Sequence, residues 1–107
     1  MFTKHSLEGY LPAVDKITRK TLVHGDKTLM TEFRLAAGAI LPEHRHPYEQ
    51  TGYLVSGRME LTIGTTTYQV EPGDSWSIPE NIAHAGKASE DCTALEVFAP
   101  VREEYLP

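Results

Sequence analysis

The chain has 107 residues with a formal net charge of −5, 40% hydrophobic residues and a single cysteine, Cys92. That length fits one small domain, residues 1–107, with a modest core. The acidic balance and scattered Lys and Arg argue against a nucleic-acid partner, and one cysteine excludes an internal disulfide framework and favours a reducing compartment. The N-terminus MFTKHSLEGYLP has no apolar signal-peptide region. No apolar run is long enough to span a membrane. The expected location is cytoplasmic, without membrane contact.

Residues 1–15 read as an irregular N-terminal arm interrupted by Pro12. Thr18 to His24 reads as a strand, with Lys16, Arg19 and Lys20 on a solvated edge, and Gly25-Asp26 as a turn. Thr28 to Leu35 alternates, with Leu29, Phe33 and Leu35 on one face and Met30, Glu32 and Arg34 on the other. Ala37-Gly38 breaks the pattern. His44 and His46 then form a His-x-His pair, with Gln50 four residues later. On a strand, residues i and i+2 point to one face, so both imidazoles would enter one cavity. A third imidazole, His84, and the Gln50 amide oxygen would complete a metal site, and imidazole suits zinc, copper, iron and nickel.

Thr51 to Val55 reads as the next strand, followed by a Ser56-Gly57 turn. Arg58 to Ile63 alternates cleanly, with Met59, Leu61 and Ile63 on one side. Thr66 to Val70 is rich in β-branched residues, and Glu71-Pro72-Gly73-Asp74 is a strong turn signal. Trp76 to Ile78 continues as strand. Trp76, Tyr53 and Tyr68 are read as packing, while Tyr48 lies between candidate ligands. Cys92 falls in a polar turn and is read as inert. Thr93 to Phe98 is the last strand, and Arg102 to Leu106 is read as one short helical turn. Many short strands with Gly and Pro turns indicate an all-β sandwich or barrel.

Two motifs carry a family resemblance. Gly38, five residues, His44-x-His46, three residues, Gln50, six residues and Gly57 resemble the first cupin motif, over residues 38–57. Gly73, five residues, Pro79, one residue, Asn81, two residues and His84 resemble the second, over residues 73–84. The resemblance implies a single-domain double-stranded β-helix, the cupin jelly-roll barrel. It also implies a metal held by His44, His46, Gln50 and His84, and a homodimer formed through the N-terminal strand. The metal expected is one divalent transition ion: nickel, zinc, iron, manganese or cobalt.

The chain departs from the family pattern. Gln50 stands where glutamate is usual, and Glu49, one residue earlier, should face the other way. Asn81 replaces a glycine, and Ala88 an asparagine. Asparagine also tolerates φ > 0. Three neutral imidazoles and a neutral amide would leave a divalent metal its full charge, which favours an anionic ligand.

The tail Leu95 to Leu106, together with His-x-His-Pro-Tyr-Glu-Gln, resembles the small cupins that linearise unsaturated uronates from pectin and alginate. In that group an acidic residue, a phenylalanine and an arginine lie near the metal. The matching positions are Glu96, Phe98 and Arg102. Aspartate is usual at the first, and the extra methylene of Glu96 moves the carboxylate about an ångström. The resemblance implies ring opening of 4,5-unsaturated monouronates to the linear keto uronate. Glu96 and Arg102 would be catalytic, and Arg102, Phe98 and Tyr48 would bind the substrate. Two other readings remain open: an oxygenase or other metal enzyme acting on a small keto or phenolic acid, and a non-catalytic sugar-acid binding module.

Overall fold

The computed structural model describes residues 1–107. Ten strands make up nearly all of its regular structure: β1 Leu11–Val14, β2 Ile17–His24, β3 Leu29–Leu35, β4 Ile40–His44, β5 Glu49–Ser56, β6 Met59–Ile63, β7 Thr66–Val70, β8 Ser75–Ile78, β9 His84–Ala88 and β10 Cys92–Ala99. A 3₁₀ turn at Glu103–Tyr105 follows. The strands form two antiparallel sheets, ordered β1-β2-β3-β10-β5-β8 and β4-β9-β6-β7. No helix is long and apolar enough to cross a membrane.

The alternating sequence pattern explains the layering. In β10 every second residue (Cys92, Ala94, Glu96 and Phe98) is buried, while Thr93, Leu95 and Val97 are only half-buried. In β5 Gln50, Gly52 and Leu54 point inward and Glu49 is exposed, as the one-residue offset requires. Inward apolar residues pack at one end of the barrel. Ile17, Leu35 and Cys92 adjoin one another across β2, β3 and β10, and Met59 lies opposite Ala88. Leu54 is fully buried among them, and burying one such side chain is worth about 1.5–3 kcal/mol. The other end of the same strands carries Gln50, Glu96, Phe98 and His84, so the site sits above the core on the same ladders.

Turn chemistry fixes the corners. Gly57 has φ 91°, and a Cβ there would lie 2.3 Å from the Asp91 carbonyl oxygen, so only glycine fits. Asn81 takes the positive φ of 61° expected of the residue in its place.

Four local expectations change. The arm over residues 1–15 ends in a strand, because Leu11–Val14 pairs with β2 despite Pro12; an edge strand tolerates a missing N–H. Ile40–His44 and His84–Ala88 are strands that pair with each other, although Pro42 and Gly86 weaken their local pattern. His46 lies beyond the end of β4 rather than on it, so its direction comes from the loop and not from period-two alternation. Cys92 opens β10 and is buried, which pushes its thiol pKa up.

Candidate metal centre

His44 ends β4 and His84 opens β9, and the two are cross-strand partners with ring centroids 4.1 Å apart. His46 comes from the following loop. The backbone N–H of Asn81 donates to the His46 carbonyl at 2.8 Å, which ties the loop of the first motif to the turn of the second. One ring nitrogen from each of the three histidines lies within 4.8 Å of the other two.

The tautomers follow from the hydrogen bonds. Each Nδ1 sits against a backbone carbonyl: Pro42 at 2.9 Å for His44, Tyr48 at 3.1 Å for His46 and Ile82 at 2.8 Å for His84. A carbonyl only accepts, so each Nδ1 carries the proton and each Nε2 presents a lone pair. That is the arrangement in which backbone carbonyls orient metal-binding imidazoles. Burial, aided by His44, His46 and Arg102, lowers the His84 pKa to about 4. Burial, then the Arg102 charge, lowers that of His46. Both are therefore neutral at neutral pH, the form that binds a metal.

Two further features fit a cation. His84 Nε2 is buried and has no hydrogen-bond partner. His46 Nε2 lies 3.0 Å from Gln50 Oε1, and with Nδ1 protonated both atoms are acceptors. A cation between them satisfies both. The histidine cluster could therefore hold a metal, with Gln50 beside it.

The cluster opens into a cavity of about 480 Å³. His44, Gln50, His84, Glu96, Phe98 and Arg102 all line it. Glu96 is buried, and burial raises its carboxyl pKa to about 8, against the opposing pull of the Gln50 amide and the Trp76 indole. The Trp76 N–H donates to both carboxyl oxygens, at 3.2 and 3.3 Å. The Arg102 guanidinium lies 5.0 Å from the Phe98 ring centroid, and its Nε donates to Glu104 at 2.8 Å. Phe98 is fully buried, with its ring edge-on to His46. Tyr48 is half-buried and packs against His46, but its hydroxyl turns outward to Glu104 at 3.1 Å, and it is not part of the cavity wall.

Sequence reasoning missed four cavity features. Trp76 is more than packing, since it hydrogen-bonds Glu96. Arg19 is not a solvated edge residue but part of the cavity wall, as is Tyr105. Gly52 leaves the space that Trp76 crosses. Parity held a signal for two of them: Arg19 shares the face of Ile17, and Gly52 that of Gln50.

Two face-to-face antiparallel sheets enclosing three convergent imidazoles define a small jelly-roll barrel with a candidate mononuclear metal centre. Residues 31–98 match the Cupin_2 family, described as a cupin domain, and the chain belongs to that family. An uncharacterized protein of Streptomyces coelicolor, SCO3923, is 35% identical over 69 residues; the match covers 64% of this chain and 66% of that protein's length. Among solved structures, KdgF from Halomonas sp. is 25% identical with a TM-score of 0.93, covering 99% of this chain and 100% of that one. An RmlC-like cupin from Shewanella frigidimarina has a TM-score of 0.92 at 19% identity, covering 98% and 95%, which shows the shared fold. The polyketide cyclase RemF of Streptomyces resistomycificus is 27% identical with a TM-score of 0.70, covering 79% of this chain and 66% of its own.

Proposed function

We propose that this protein is a metal-dependent enzyme that opens the ring of 4,5-unsaturated monouronates to the linear keto form. One observation carries the reading: a buried carboxyl, Glu96, and a guanidinium, Arg102, face the same cavity as the three-histidine cluster. The likeness to KdgF along the whole chain, and the tail residues Glu96, Phe98 and Arg102, support the same assignment.

His44, His46 and His84, with Gln50 as fourth ligand, would hold a divalent transition metal. When bound, such an ion supplies Lewis acidity to substrate oxygens. Arg102 pairs with the uronate carboxylate, which guanidinium matches with two parallel hydrogen bonds. Phe98 walls the cavity and limits water. Glu96 accepts the proton of the anomeric hydroxyl as the ring C–O bond breaks. The former ring oxygen becomes the enolate oxygen, and Glu96 returns the proton to the enolate carbon. The product is an isomer of the substrate, so no oxidant or reductant is needed. A carboxyl with its pKa near neutrality can both take and give a proton.

The test follows the ultraviolet absorbance of freshly made unsaturated galacturonate. Faster loss with the intact metal-loaded protein than with a His44→Ala, His46→Ala variant supports the reading. Equal rates overturn it.

A further inference from the structure

The cavity carries a second cation that the proposed ring opening does not use. Arg19 lies on β2, on the inward face with Ile17, and lines the cavity beside Arg102 and Tyr105. Its guanidinium carbon is 4.0 Å from the Tyr105 ring centroid, and that of Arg102 is 4.1 Å from the same centroid. Both guanidiniums therefore stand over the one phenol ring. Tyr105 is held in place by the Thr21 hydroxyl, which donates to its carbonyl, and by ring contacts with Phe33 and Phe98.

The two arginines differ in their partners. Arg102 is paired with Glu104. Arg19 is half-buried, yet it has no ion pair and donates no side-chain hydrogen bond. Two other carboxylates border the cavity, Glu43 and Glu96. Neither pairs with Arg19, and Trp76 engages Glu96. Five donors with a permanent charge therefore lack an acceptor inside a ligand-sized cavity. The volume of about 480 Å³ falls in the range of roughly 300–1,000 Å³ that takes drug-sized ligands. The wall continues past Arg19 to Pro12, Ala13 and Val14 of β1.

We propose that Arg19 is a second anion anchor, and that the site prefers an acid with two separated carboxylates, one on Arg102 and one on Arg19. The choice of ligand rests on the uronate reading: a two-ring unsaturated diuronate, whose unsaturated ring has its anomeric oxygen in the glycosidic bond and so is held without being opened, would bind more tightly than a single ring. The anchor itself rests on the geometry of Arg19, Tyr105 and Arg102.

Trp76, the single tryptophan, lies on the cavity wall, so its fluorescence reports occupancy. The metal-loaded protein is mixed rapidly with increasing unsaturated galacturonate or unsaturated digalacturonate, and the fluorescence is read before the single ring is turned over. A charge-assisted pair predicts at least about tenfold tighter binding of the diuronate. In Arg19→Gln the ratio falls to near one, and in Arg19→Lys, which keeps the charge, the preference persists. A ratio near one in the intact protein, or no binding of either compound, overturns the proposal without recourse to any variant. An unchanged ratio in Arg19→Gln also overturns it, as does a loss in Arg19→Lys equal to that in Arg19→Gln. An Arg19-dependent ratio without turnover of the monouronate would overturn only the ring-opening reading. Turnover of the monouronate without that ratio would overturn only the anchor.

Discussion

The Trp76 indole N–H reaches across strand β5 to the Glu96 carboxyl, 3.2 Å from Oε1, over Gly52, the inward position of that strand with no side chain. Glu96 pairs with Gly52, and Gly52 with Trp76, so the three stand in one cross-strand row. A Cβ on Gly52 would lie 2.2 Å from the indole ring and 2.4 Å from Glu96 Oε2. Gly52→Ala should therefore push Trp76 and Glu96 apart and cost about 1–3 kcal/mol of stability, the usual range for overpacking. Urea denaturation of the metal-free protein measures this. A midpoint equal to that of the parent would refute the tight row.

Glu96 makes stability depend on pH with a definite sign. Its carboxyl titrates near 4.5 when unfolded and near 8 when folded, so the folded state holds the extra proton between those values. Stability must then fall as pH rises through that window. His84 acts oppositely: its pKa drops from 6.5 to about 4 on folding, so stability rises with pH between those values. The two effects overlap below pH 6.5, which leaves the Glu96 slope dominant from there to about 8. The metal-free protein should lose stability from pH 6.5 to 8, and Glu96→Gln should flatten that slope. Equal slopes in parent and variant would count against the raised pKa.

Glu96→Gln also tests the chemistry. A positioned acid/base is typically worth ~100 to 10,000-fold in rate. The variant should lose activity on the unsaturated uronate within that range, with the metal content of the purified protein unchanged. Undiminished activity would remove Glu96 from the mechanism.

The histidine cluster predicts stabilisation by metal. A ligand at a hundred times its Kd stabilises by about 2.7 kcal/mol. Nickel or zinc should raise the thermal midpoint of the intact protein, and a chelator should reverse the rise. Neither ion should shift the midpoint of the His44→Ala, His46→Ala variant. An equal shift in that variant would place the metal elsewhere.

Alternation and spacing carried much of the architecture. Strands β3 and β6 were legible from their alternation, β7 from its β-branched residues, and β2, β5, β8 and β10 as short runs between turn residues, while both motifs stood out by their spacing. Strands β4 and β9 were not, because Pro42 and Gly86 dilute a short pattern and the pairing that stabilises these strands is with each other.

The sequence by itself determined the β class, the family motifs and the three imidazoles, because those features reside in residue type and short-range periodicity. Only the tertiary structure decided which side chains meet. The row Trp76–Gly52–Glu96 exists because β5 lies between β8 and β10. The Arg19–Tyr105–Arg102 stack exists because the chain after β10 folds back over β2, where Thr21 holds it. Pairing between strands far apart in sequence set the first arrangement and the packing of the tail against β2 set the second, and a local pattern does not specify which distant segments meet.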